Sequence, residues 1–140
     1  MTRKKINVQR EKLMEEALSQ LPAIQTNNVW IEFDFDQEEG QGRGPTLEFY
    51  QLMAETFKKS PLWRKTDDHA LFPAPEVNGS ESVKAKFKLM GVLVGRCVMD
   101  NRIMPLNLSP VFWKMVLGRP LAFRDFESLD RTLDRSTFNL

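Results

Sequence analysis

One cysteine and one histidine, Cys97 and His69, are all the thiol and imidazole that 140 residues offer. A single thiol excludes an internal disulfide and fits a reducing compartment. The two together cannot assemble a structural zinc site, which takes four protein ligands. No metal and no cofactor is therefore expected. Net charge is scarce too: 20 basic against 19 acidic residues leave +1, so the overall balance carries no nucleic-acid signature. A short basic cluster at Arg3, Lys4 and Lys5 reads as a solvated tail. No apolar run reaches the roughly 20 residues that span a bilayer, and no apolar signal core opens the chain. These absences predict an intracellular protein, cytoplasmic or nuclear, with neither membrane nor nucleic acid as a partner. The length allows one domain with a core of its own.

The stretch that organises the rest is residues 38–50, EEGQGRGPTLEFY. Ahead of it, residues 29–36 alternate: Val29, Ile31, Phe33 and Phe35 point one way, Trp30, Glu32, Asp34 and Asp36 the other. That is the period of a half-buried strand, and its acidic row is expected to face solvent. Behind it, residues 45–58 place Leu47, Tyr50, Met53, Ala54 and Phe57 on one helical face. Pro45 suits the first turn of that helix. Gly40, Gly42 and Gly44 form the turn between strand and helix. A strand, a glycine loop and a helix N-terminus can cradle phosphate. Here the third fingerprint position is Pro45, no Lys-Ser/Thr pair follows, and Glu38 and Glu39 set two negative charges against Arg43. A structural turn is the better reading.

Elsewhere the pattern is helical. Residues 8–21 carry Met14, Leu18 and Leu21 on one face, with Asn7 as cap and Pro22 as stop. Residues 60–78 are irregular, and Leu62-Trp63 and Leu71-Phe72 can pair as a small hairpin with His69 in its polar middle. Residues 83–100 are apolar nearly all round, which predicts a central helix; Gly91 and Gly95 would admit a close backbone, and Cys97 falls on the buried stripe as a core thiol. Ser109-Pro110 opens a further helix with Val111, Phe112, Met115 and Val116 inward, ended by Gly118. Residues 123–130 and 131–138 read as two short amphipathic turns. The sum is an α+β domain, mostly helical, with one or two small strand pairs. No nucleophile–base pair and no acid pair stands in a recognisable motif, so the residues alone name no reaction.

Four words in register add what spacing does not. GQGRGPTLEFYQLM, LFPAP, FKLMGVLVGRCVMDNRIMPLNLSPVFWKMVLG and FRDFESLD resemble, in that order, the start of HECT-type ubiquitin ligase domains. They look most like the subclass acting on ubiquitin-fusion degradation substrates. The resemblance runs from about residue 8 to the C-terminus. It implies that residues 1–140 are a partial HECT domain, the first part of the large subdomain of its N-lobe, with a few short strands and no second domain. It also implies a parent enzyme that takes ubiquitin from a conjugating enzyme onto a cysteine thioester and passes it to lysines of protein substrates. That cysteine would lie C-terminal to Leu140. Cys97 matches a scaffold helix position, no catalytic role carries over onto Glu48, and this stretch alone is expected to be inactive. The rival from another class is a non-catalytic interaction module that has lost the catalytic lobe.

Overall fold

The strand expected at residues 29–36 is present as β2, Val29–Phe35, with Ile31, Phe33 and Phe35 buried. The computed structural model describes residues 2–40 and 42–129. Their contacts cluster into two compact units, one of residues up to 57 with 78–105, the other of residues 58–77 with those from 106 on.

In the first unit the basic cluster is not a tail. Thr2–Val8 forms β1, which runs parallel to β2 with Thr2 opposite Val29 and Val8 opposite Phe35. The cause is charge alternation on both strands. Arg3 reaches Glu32 at 3.8 Å and Lys5 reaches Asp34 at 3.3 Å, and these two carboxylate side chains are only 13% and 14% exposed. The acidic row therefore docks a strand instead of facing open solvent. Ile6 and Val8 alternate with the cations and enter the core.

The helix read over residues 8–21 is displaced by that strand. Asn7 belongs to β1, Arg10–Lys12 makes a 3-10 turn, and α1 spans Leu13–Ser19. Pro22 does not stop the helix; it sits in the first turn of a short α2, Leu21–Ile24, where its missing N–H costs nothing. The buried positions are Leu13, Ala17 and Ile24, not Met14, Leu18 and Leu21.

Helix α3, Arg43–Lys59, starts two residues before the expected position. Its buried stripe is Thr46, Phe49, Tyr50, Met53, Ala54 and Phe57, while Leu47 is 42% exposed. Phe33 stacks on Phe49 with centroids 3.7 Å apart, and Tyr50 meets both rings edge-on at 5.9 and 5.6 Å. Three fully buried aromatic side chains at one strand–helix contact are each worth about 1.5–3 kcal/mol of burial.

Helix α4, Glu81–Met99, is capped by the Ser80 hydroxyl, which accepts from the Val83 N–H. It packs against α1 and α2, and Leu89, Met90, Leu93 and Cys97 are its buried apolar residues. It is not enclosed by the described residues: Gly91 and Gly95 are exposed, as are Val98 and Met99. Apart from the helix's own backbone and the adjoining residues, no described atom lies within 4 Å of where a Cβ would stand on either glycine.

In the second unit the expected hairpin forms: β3, Trp63–Lys65, pairs antiparallel with β4, Leu71–Pro73. The other edge of β4 takes the segment before the next helix, through Leu71 N–H to Asn107 O and Ser109 N–H to Leu71 O. Helix α5, Pro110–Val116, opens on Ser109, whose hydroxyl accepts from the Val111 N–H. Only Val111 of its predicted inner side is buried; Met115 and Val116 are 52% and 58% exposed. Gly118, with φ near 62°, ends the helix. Helix α6, Phe123–Leu129, follows, and the turn expected at 131–138 lies outside the described residues.

Candidate functional site

The glycine loop is held from both sides. At its strand end the Arg10 guanidinium grips Glu38 with Nε to Oε1 at 3.0 Å and Nη2 to Oε2 at 2.9 Å. Its third nitrogen donates to Glu48 Oε1 at 2.6 Å, and the group lies 4.1 Å above the Phe35 ring. These carboxylates hold the Arg10 proton more firmly than usual, and Arg10 in turn depresses the Glu38 pKa. At its helix end Thr46, fully buried, hydrogen-bonds both Phe33 and Gly42. Gly42 has φ near 89°, a conformation a side chain would strain. Glu38 and Glu48 thus serve the loop as partners of Arg10. Two carboxylates beside the turn are the wrong charge for a phosphate cradle.

Cys97 is buried, and burial pushes its thiol up to about 11. Burial raises the pKa of the Tyr50 phenol as well, and the neighbouring Cys97 adds a smaller electrostatic push in the same direction. Arg96, next to Cys97 in the chain, is itself buried: it donates to Val29 O at 2.5 Å and Thr26 O at 3.4 Å, tying α4 to the entry of β2. His69 is exposed at the hairpin turn with φ near 62°, and its carbonyl accepts from Asn107 Nδ2. Among the described residues no three His, Cys, Asp or Glu side chains converge to hold a metal ion, and no helix is long and apolar enough to cross a membrane.

Two clefts are lined by residues that sequence reasoning did not group. In the first unit, one of about 250 Å³ collects Arg3, Trp30, Glu32, Arg43, Asp100, Asn101 and Arg102. They come from four separate stretches, and only the alternation of β1 against β2 hinted at part of the set. In the second unit, an apolar cleft of about 270 Å³ lies between Phe72, Val111, Met115 and Phe126. At its rim Asp125 accepts from the Ala122 N–H at 2.7 Å and from Lys114 at 2.6 Å, and these bonds depress its pKa. The arrangement offers docking surfaces and a rigid strand–loop–helix frame.

Thr46, Phe49 and Tyr50, buried in the frame, are letters of TLEFY, and Leu71, buried in the second unit, is a letter of LFPAP. The sequence pattern of the HECT-domain (ubiquitin-transferase) family matches residues 50–140. The chain belongs to that family. Over its full length it is 32% identical to the E3 ubiquitin-protein ligase UPL4 of Arabidopsis thaliana. It is 30% identical, over 83% of its length, to ubiquitin fusion degradation protein 4 of Saccharomyces cerevisiae. To the E3 ubiquitin-protein ligase TRIP12 of Danio rerio it is 26% identical over its full length. It spans 11%, 9% and 8% of those three proteins.

Proposed function

We propose that residues 1–140 are the opening part of a HECT N-lobe, the scaffold of a ubiquitin transferase whose thioester cysteine lies C-terminal to Leu140. The observation that carries this reading is the family match over residues 50–140, supported by the packing roles of the matching words. In the parent, ubiquitin passes from a conjugating enzyme to the thiol and then to lysines of a protein substrate, in the cytoplasm or nucleus. Cys97 has no part in that chemistry on this reading, because a nucleophilic thiol needs exposure and a lowered pKa, and this one is buried with its pKa raised.

The test uses the longest natural polypeptide carrying this chain. Incubated with ubiquitin-charged conjugating enzyme, it is expected to give a thiol-sensitive ubiquitin adduct on a non-reducing gel. The adduct should persist in Cys97→Ser and be absent from residues 1–140 alone. An adduct lost in Cys97→Ser, with the fold intact by circular dichroism, would overturn the assignment of the nucleophile. No adduct from any natural form would leave a non-catalytic interaction module.

A further inference from the structure

The cleft on the outer face of β1 and β2 has a charge imbalance. Each of its two carboxylates lies within ion-pair range of an arginine but beyond hydrogen-bond distance: Glu32 faces Arg3 at 3.8 Å, and Asp100 faces Arg96 at 4.0 Å. Arg43 and Arg102 make no ion pair among the described residues, and the Arg102 guanidinium lies 5.0 Å from the Trp30 centroid and 5.9 Å from that of Tyr50. Two guanidiniums lining one cleft without a carboxylate of their own attract an anion, and their planar forks match a carboxylate. The Arg102 Nη1 donor is buried with no hydrogen-bond partner. So is the Asp100 Oδ2 acceptor, since Arg96 Nε is too distant to serve it. Unmade bonds of this kind are costly at buried atoms.

Orphan donor and orphan acceptor together discriminate between ligands. A nucleic-acid phosphodiester supplies acceptors only, and inorganic phosphate supplies a hydroxyl donor but no apolar part to lie against Trp30. A polypeptide segment supplies carboxylates for the arginines and main-chain N–H groups for Asp100. Trp30, half-buried between the cations, adds an apolar wall. We infer that this cleft is a docking site for an acidic peptide segment, read by Arg43 and Arg102 against Trp30, with Asp100 taking a donor from its backbone. The inference stands on the cleft alone and is independent of the transferase reading.

A capped hexaglutamate peptide titrated into the 140-residue chain tests it, with tryptophan emission as the readout. Saturable binding is expected, weakening with added salt, with the signal lost in Trp30→Phe. Arg43 is exposed, so Arg43→Glu should keep the fold and weaken binding about tenfold or more, the size of a hydrogen bond to a charged group. Lys59→Glu, the same charge change at the far end of α3, should leave affinity unchanged. Arg102→Lys keeps the charge but loses the stack and fork, and should weaken binding too. Absence of saturable binding, or equal loss in Arg43→Glu and Lys59→Glu, overturns the proposal. Tighter binding of inorganic phosphate or of a DNA oligonucleotide through the same arginines also overturns it.

Discussion

Phe33 donates its main-chain N–H to the Thr46 hydroxyl at 3.0 Å, and that hydroxyl gives its own proton to the Gly42 carbonyl at 3.1 Å. One oxygen thereby closes the free edge of β2, the glycine turn and the first turn of α3. Thr46→Val keeps the shape and removes both bonds, leaving a buried N–H unpaired. The expected loss is about 1–3 kcal/mol, read from urea unfolding, with Thr46→Ser recovering most of it. A valine variant as stable as the parent would show that the hydroxyl contributes nothing.

The glycines separate by the same measurement. Gly42 has φ near 89°, so Gly42→Ala should destabilise by about 1 kcal/mol or more. Gly91 and Gly95 lie inside α4 with open space around them, so each change to alanine should stabilise by about 0.5–1 kcal/mol through helix propensity. In a longer natural form of the protein, a reversed sign at Gly91 or Gly95 would place another element against that face.

Acid should undo two contacts in particular. The Ala122 N–H, and then Lys114, depress the Asp125 pKa, as Arg10 depresses that of Glu38. A depressed folded-state pKa means stability that is present above the ordinary carboxylate value of about 4 and is lost as pH falls through the lower folded value. Asp125→Asn should therefore lower the melting temperature at neutral pH, with the gap to the parent closing on acidification. A gap independent of pH would refute the charge argument.

Cys97 should be inert in the native state. With its pKa pushed up to about 11 by burial, the thiolate fraction near pH 8 is on the order of a thousandth. Maleimide labelling is expected to be slow in buffer and fast in guanidinium chloride. Equal rates would mean that α4 opens freely.

How much of this was readable from residues depended on which force set each element. Strand β2 and helix α3 were legible because apolar periodicity fixed them, and the hairpin because two apolar pairs flanked polar turn residues. Strand β1 was not. Only Ile6 and Val8 signal burial, and its placement comes from cations matched to a carboxylate row 29 residues on, a non-local pairing that no single window contains. Leu47, expected inside, is exposed while Thr46 is buried, for a related reason: hydropathy favours leucine inside, but the free edge of β2 needed a hydroxyl. On α4 and α5 apolar content was plain, yet which face would be covered was not written in it. The family was legible from word order, while the arginine cleft, drawn from four distant segments, exists only once the chain has folded.

The parallel pairing of β1 with β2 also bears on synthesis. A strand that leaves the ribosome before its partner must wait, unpaired, until Phe35 has emerged and the intervening helices have turned the chain back. An idle strand invites neighbours to pair with it, and lysine-rich strands resist this. The three cations Arg3, Lys4 and Lys5 are thus suited to repelling other nascent copies first, and Arg3 and Lys5 to finding Glu32 and Asp34 afterwards. Replacing the three with threonine should raise aggregation during refolding more than it lowers the stability of the finished fold, and light scattering set beside equilibrium unfolding would separate the two.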